Sequence, residues 1–240
     1  LGNPNVPAPA EVNLAICDIL KEEESTFVHG YMSNAGYEDV RQAVAESLNK
    51  RFGTQLHQNN ILMTVGAASG LNVILKTLLN PGDEVIIPQP SYVSYEPCTI
   101  LAGGKPVILE LQEKNEFRLT KEELLAAITP KTKVLILPFP NNPTGSVLRR
   151  EDLEDIAEVC IEKDILVMSD EIYSELTYGA KHVTIASLPG MRERTILING
   201  FSKAYAMTGW RLGYTCAPHI ILEQMLKIHQ FAIMLSLIHI

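Results

Sequence analysis

Residues 133–173 have the sequence KVLILPFPNNPTGSVLRREDLEDIAEVCIEKDILVMSDEIY. An apolar run at 133–138 is followed by a Pro- and Gly-rich loop, an amphipathic segment at 150–163 and a second apolar run at 165–169. This order predicts a strand, a helix and another strand. Both runs are apolar throughout, which is typical of strands in a sheet that is covered on both faces. The stretch therefore predicts a β-α-β unit with parallel strands.

The same alternation of short apolar runs and longer amphipathic segments extends in both directions along the chain. It predicts strands at 61–65, 84–88, 106–111, 133–138, 165–169, 195–199 and 212–216. It predicts helices at 38–52, 68–79, 92–101, 121–128, 150–163 and 220–230. The expected fold class is α/β, with a mostly parallel central sheet and helices on both of its faces.

Composition narrows the function classes. The 240 residues are 46% hydrophobic, which is enough apolar material for a folded core. The chain has 20 Lys and Arg against 28 Asp and Glu, a net charge of −8, and so lacks the basic field that a nucleic-acid partner requires. The four cysteines and six histidines have no metal-ligand spacing, so we expect reduced thiols and no metal.

No targeting or membrane segment is expected. Residues 1–11 have neither the basic nor the apolar region of a signal peptide. The apolar stretch at 231–238 is far shorter than the roughly 20 residues that span a bilayer. These observations predict a soluble cytoplasmic protein without membrane contact.

Three polar residues follow successive predicted strands. Asn142 comes after the strand at 133–138, Asp170 directly follows the run at 165–169, and Lys203 comes after the run at 195–199. They lie 28 and 33 positions apart, about one β-α-β repeat of roughly 30 residues. Because parallel strands end at one edge of a sheet, and ligands bind there, we expect these side chains to be close in space.

The three residue types suit the chemistry of a pyridine aldehyde cofactor. A desolvated lysine such as Lys203 can form a Schiff base with an aldehyde, and a buried carboxylate such as Asp170 keeps a pyridine nitrogen protonated. Ser202 and Arg211 are able to bind a phosphate. Taken singly, Asp170 also fits a helix N-cap, and Lys203 and Arg211 fit surface positions.

Three segments carry a resemblance to a known family. They are PNNPTG at 140–145, SDEIY at 169–173 and SKAYAMTGWRLGY at 202–214. They resemble the signatures of class I/II pyridoxal-phosphate aminotransferases, which are fold type I enzymes of the aspartate aminotransferase superfamily. The similarity extends from residue 1 to about residue 234.

The resemblance implies roles for individual residues. Lys203 matches the lysine that bonds to pyridoxal 5'-phosphate and acts as general acid and base, with Asp170 and Tyr173 as the other catalytic residues. The implied cofactor contacts are the pyridinium partner Asp170, the ring-oxygen ligands Tyr173 and Asn142, the stacking ring of Tyr92, the phosphate ligands Ser202 and Arg211, and Tyr31, which reaches the phosphate of the neighbouring subunit. Gly2 and Asn142 are the implied substrate contacts.

One segment departs from the family pattern. At 66–70 the sequence GAASG opens a helix where the family binds phosphate, usually with a hydroxyl or amide side chain. Here Ala67 and Ala68 offer only backbone N–H groups and the helix dipole, with Ser69 as a helper if the register shifts by one. The segment is neither GxSxG nor GxGxxG, so neither a serine hydrolase elbow nor a dinucleotide fingerprint is predicted.

The resemblance implies transfer of an amino group from an L-amino acid to a 2-oxo acid such as 2-oxoglutarate, in a homodimer with a shared active site. Aspartate, aromatic amino acids and alanine all stay open as donors. Two alternatives stay open as well: a C–S lyase or ring-forming synthase on the same fold, and a non-enzymatic module that senses pyridoxal phosphate.

The resemblance also implies a division of the chain. We expect a truncated N-terminal segment at 1–28, the pyridoxal-phosphate-binding large domain at 29–234 and a non-native tail at 235–240. The small C-terminal domain of the family, with the arginine that pairs with the substrate carboxylate, is expected to be absent from this sequence. On that expectation, the 240 residues alone do not transaminate efficiently.

Overall fold

The computed structural model of the chain describes residues 2–22 and 30–233. Its strands are β1 (Ile61–Val65), β2 (Glu84–Gln89), β3 (Lys105–Glu110), β4 (Thr132–Leu137), β5 (Leu166–Asp170), β6 (Thr195–Gly200) and β7 (Leu212–Cys216). All seven predicted strands are present, each with its ends within one residue of the prediction. The tail predicted at 235–240 lies outside the described residues.

The helices are α1 (Ala10–Glu22), α2 (Glu38–Phe52), α3 (Gly66–Leu78), α4 (Tyr95–Leu101), α5 (Lys121–Ala127), α6 (Arg150–Glu162) and α7 (His219–Ile233). Six of them correspond to predicted helices, and α1 was not predicted. Helix α1 presents Leu14, Ile19 and Leu20 to solvent and has no buried apolar side chain. None of the described helices has the length and apolar character needed to cross a membrane.

The seven strands form one sheet in the order β1-β7-β6-β5-β4-β2-β3. The pairs β2–β3, β2–β4, β4–β5 and β5–β6 are parallel, whereas β7 runs antiparallel to both β6 and β1. Strand β7 follows β6 after only residues 201–211, which is too short for the helical crossover that a parallel pair needs. The predicted mostly parallel α/β sheet is confirmed.

Helices cover both faces of the sheet. One face carries Val134 and Ile136 of β4, which pack in a cluster with residues of α3, α4 and α7. The other face carries Leu135 and Leu137, which pack with α5 and α6, and α2 packs on the β1–β7–β6 part of that same face through Leu48. Because both faces are buried, β4 is apolar at each of the consecutive positions 134–137 rather than alternating.

Helix α4 begins later than predicted. The sequence predicted a helix at 92–101, but the structure starts it at Tyr95 and leaves Tyr92 in the preceding turn. Pro97 explains the difference. In a helix from Tyr92 it would stand in the interior and remove a hydrogen bond to the carbonyl of Val93, whereas in a helix from Tyr95 it falls in the first turn, where its missing N–H is not needed.

Candidate active site

The structure brings the predicted polar residues together at the carboxyl edge of the sheet. Asp170 is the last residue of β5, and Tyr173 stands in the turn that follows it. Asn142, in the loop after β4, directs its side-chain amide to the Tyr173 hydroxyl at 3.4 Å. Lys203, in the loop after β6, holds its ammonium 5.9 Å from the centre of the Tyr173 ring. An acid, a phenol, an amide and an amine therefore share one site.

Asp170 is a buried carboxylate with two donors. The Tyr95 hydroxyl donates to Oδ2 at 2.8 Å, and the backbone N–H of Ile172 donates to Oδ1 at 3.2 Å. Loss of solvent raises the pKa of the Asp170 carboxyl, and the two hydrogen bonds oppose that rise. The carboxyl is thus shielded from water, and with two donors it keeps acceptor capacity for a further cationic or N–H partner, which it would bind strongly.

Tyr173 sits between the acid and the amide. Partial burial raises the pKa of its phenol, and the negative charge of Asp170 adds to the rise, whereas the hydrogen bond from Asn142 lowers it. The phenol therefore keeps its proton at neutral pH. The loop that presents Asn142 is braced by its neighbour, since the buried Asn141 side chain accepts hydrogen bonds from the backbone N–H and the hydroxyl of Thr144.

The start of the described chain lies over Lys203. The Lys203 ammonium donates to the carbonyl oxygen of Gly2 at 2.5 Å, and the Thr208 hydroxyl donates to the Asn3 side chain at 3.0 Å. Gly2, which the sequence assigned to substrate contact, is therefore beside the lysine. Because the contact uses a backbone carbonyl, the side chain at position 2 does not determine it.

The amino end of α3 meets the arginine predicted for phosphate. Gly66 has φ +73°, and a Cβ at this position would lie 2.5 Å from Nη2 of Arg211. Gly213 of β7 is equally close to the start of α3, since a Cβ at position 213 would lie 2.7 Å from the backbone N of Ala67. Gly66 therefore leaves room for the Arg211 guanidinium at the N-terminus of α3, and Gly213 leaves room for β7 to approach the same turn. The guanidinium and the helix N-terminus both favour an anion.

The other predicted phosphate contacts have clear locations. Ala67 and Ala68 are in the first turn of α3. No side chain caps the first backbone N–H groups of this helix. Ser202 is buried, directly before Lys203. Arg211 is exposed and donates to the carbonyl of Thr208 at 2.9 Å. The structure brings Arg211 and the amino end of α3 together.

The two remaining predicted aromatics have different positions. Tyr92 is partly exposed and meets the edge of the Tyr95 ring, with centroids 5.6 Å apart. It is thereby next to the partner of Asp170. Tyr31 is fully exposed, and the structure does not bring it to the site of its own chain.

Tyr95 is a site residue that the sequence analysis missed. The spacing of Tyr92 and Tyr95 was the available signal, because residues three apart share a helical face.

The described residues contain no group of three or more His, Cys, Asp or Glu side chains arranged to hold a metal ion.

The chain is similar in sequence to known proteins. A family model described as "Aminotransferase class I and II" matches residues 2–238. The aspartate aminotransferase of Pyrococcus abyssi is 45% identical over 233 residues, which is 96% of this chain and 59% of that protein. The aromatic-amino-acid aminotransferase 2 of Thermococcus litoralis is 44% identical with the same coverage.

A solved structure is similar as well. The aromatic aminotransferase from Pyrococcus horikoshii OT3 superposes with a TM-score of 0.92 at 43% identity, covering 96% of this chain and 61% of that one. The chain thus spans about three fifths of the length of these relatives.

Proposed function

The chain belongs to the aminotransferase class I and II family, and from that membership we propose that the intact protein is a pyridoxal-phosphate-dependent aminotransferase. It moves an amino group from an L-amino acid to a 2-oxo acid. One observation supports this above the others: the buried Asp170, the Tyr173–Asn142 pair and the Lys203 amine meet at one edge of the sheet. No other group of side chains described above offers an acid, a phenol and an amine together.

The residues present fit pyridoxal phosphate. The buried carboxyl of Asp170 is suited to hold the ring nitrogen, and Tyr173 and Asn142 are suited to hold the ring oxygen. The cradle formed by Gly66, which a Cβ would fill, and the adjacent Arg211 are suited to hold the phosphate. When bound, the cofactor supplies an aldehyde carbon that bonds to amino groups and a ring that accepts an electron pair.

Individual residues of the chain then have separate roles in the reaction. In its neutral amine form, the Nζ atom of Lys203 would accept the proton from the α-carbon of the amino acid and would donate it to the carbon that the cofactor supplied as an aldehyde, not back to the α-carbon. Asp170 stabilises positive charge on its ring partner, and burial makes that interaction stronger than it would be in water. The Gly2 carbonyl, 2.5 Å from Nζ, accepts a hydrogen bond from Lys203 and thereby orients its side chain.

The substrates are proposed only as a class. The named relatives act on aspartate and on aromatic amino acids, and both classes, with alanine-like donors, fit the proposal. We assign the acceptor to 2-oxo acids such as 2-oxoglutarate.

The proposal includes a homodimer with a shared site, in which the exposed Tyr31 reaches the cofactor phosphate of the partner subunit. It treats residues 29–234 as the cofactor domain and 1–28 as an N-terminal segment.

A cytoplasmic location is also part of the proposal, supported by four free cysteines. Three of these are buried, and burial raises the pKa of the Cys160 thiol to about 12.

The test is reduction of the protein with borohydride in the presence of pyridoxal phosphate, followed by peptide mass mapping. We expect a visible absorbance band and a reduced adduct on Lys203. An adduct on other lysines, or none, would contradict the proposal. Release of pyruvate and ammonia without an acceptor 2-oxo acid would instead identify a lyase.

A further inference from the structure

The residue after Asp170 is a second buried carboxylate that the proposed reaction does not use. Glu171 is 1% exposed, and three side chains surround its carboxylate. The hydroxyl of Ser169 donates at 2.9 Å, that of Thr184 donates at 2.5 Å, and Nε2 of His182 is 2.8 Å away. A buried carboxylate is stable only when such donors replace water.

These contacts close a loop. Glu171 stands where the chain leaves β5, whereas His182 and Thr184 stand about a dozen residues later, before the chain reaches β6. The contacts from His182 and Thr184 therefore tie the end of the loop at 171–184 to its beginning, whereas Ser169 holds the Glu171 carboxylate from β5. The closed loop carries Tyr173.

The turn inside the loop is fixed in the same way. The backbone N–H of Ser174 donates to the carbonyl of Glu171 at 2.9 Å, and the Asn199 side chain of β6 donates to the Ser174 hydroxyl at 3.1 Å. Tyr173 lies between these two anchored residues, so the position of its phenol depends on where the Glu171 backbone is held.

His182 closes the loop against the body of the protein. Its side chain is 10% exposed, and its ring meets the ring of Phe52, at the end of α2, edge-on with centroids 5.3 Å apart. Without the His182 donor, Oε2 of Glu171 would lose the hydrogen bond that replaces water there, which favours opening of the loop at 171–184 to solvent. That movement displaces Tyr173.

We propose that the Glu171–His182 pair is a clasp that positions Tyr173, and with it the ring-oxygen contact of the site. The expected effect on cofactor binding rests on the proposed function. The existence of the clasp does not depend on that function. Glu171 and His182 are positioning residues, since neither touches the reacting groups.

The experiment compares two variants of His182 with two control variants, all in the intact protein. His182→Phe keeps a ring against Phe52 and removes the donor, and His182→Gln keeps a donor near the place of Nε2. His219→Phe is the matched control, because His219 pairs with Glu223 at 3.3 Å on the surface, where both are exposed. Ile156→Val, on the buried face of α6, controls for a loss of stability that does not involve the clasp.

Two quantities are measured. The first is the rate of tryptic cleavage after the exposed Lys181, in the closed loop. The second is the dissociation constant of pyridoxal phosphate, from its absorbance. For His182→Phe we expect both to increase about tenfold, the effect of one hydrogen bond to a charged group. For His182→Gln, His219→Phe and Ile156→Val we expect values near wild type.

Each other outcome has a definite meaning. Faster cleavage with unchanged cofactor affinity would show that the clasp does not position the site, and unchanged cleavage would show that there is no clasp. An equal effect in His219→Phe or Ile156→Val would overturn the inference as well. If the wild-type protein binds no pyridoxal phosphate, the proposed function fails, and the cleavage rates still decide whether the clasp exists.

Discussion

The hydroxyl of Tyr95 donates a 2.8 Å hydrogen bond to Oδ2 of Asp170, although 75 positions separate the two residues in the chain. Both groups are buried, and burial together with the carboxylate charge raises the pKa of the Tyr95 phenol well above its usual value. The phenol therefore keeps its proton, and stays a donor, at neutral pH. It supplies a fixed partner for the acid at the centre of the site.

Replacing Tyr95 by Phe removes this donor, so that burial raises the pKa of Asp170 with less opposition. A carboxyl with a higher pKa becomes ionised only at higher pH. We expect the acid limb of the kcat/KM profile to move upward by roughly one pH unit. Tyr178→Phe, at an exposed position, is the control. A profile that does not move in Tyr95→Phe would mean that the hydrogen bond does not tune the acid.

Asp170→Asn should change how stability depends on pH. Since the folded-state pKa of Asp170 is raised, folding binds its proton more tightly, and its contribution to stability is lost as the pH rises through that pKa. The unfolding free energy of the variant minus that of wild type should therefore increase with rising pH. The total increase is about 1.4 kcal/mol per unit by which the pKa of Asp170 is raised. Denaturant unfolding of the cofactor-free protein at pH 4 to 8 measures it. A gain no larger than that of the exposed Asp18→Asn would contradict the assignment.

Gly66→Ala should damage the anion-binding end of α3. The added Cβ would lie 2.5 Å from Nη2 of Arg211, at a φ of +73° that disfavours alanine. We expect a loss of about 1–2 kcal/mol in unfolding free energy and weaker binding of pyridoxal phosphate by tenfold or more. Gly209→Ala is the matched control, since a Cβ there would meet nothing within 4 Å. Equal effects of the two substitutions would disprove the close-approach explanation.

The shared site can be tested by mixing two inactive variants. Tyr31→Ala removes a residue proposed to act in the partner's site, and Lys203→Ala removes one that acts in its own. Mixed dimers have one site with both defects and one intact site, so an equal mixture should recover about a quarter of wild-type activity. Activity after subunit exchange is the measurement. No recovery, with exchange verified by mass spectrometry, would mean that Tyr31 does not act across an interface.

The local pattern of the chain was enough to predict most of the fold. Strand β4 is apolar at each of 134–137 because helices cover both sides of the sheet, and that local property is visible without knowing which helices do so. Asn142, Asp170 and Lys203 could be placed at one edge for a similar reason, since the ends of parallel strands coincide. The start of α4 was wrong because the effect of Pro97 on the helix boundary was not considered.

The sequence by itself determined the strands, the α/β class and the side chains that carry chemistry, because each depends on neighbours within a few residues or on one β-α-β repeat. Only the tertiary structure decided which distant groups meet: Tyr95 with Asp170, Gly66 with Arg211, and Glu171 with His182. These contacts depend on the order of strands in the sheet and on close approach of backbones. Both are set by the packing of the whole core, which no short stretch of sequence encodes.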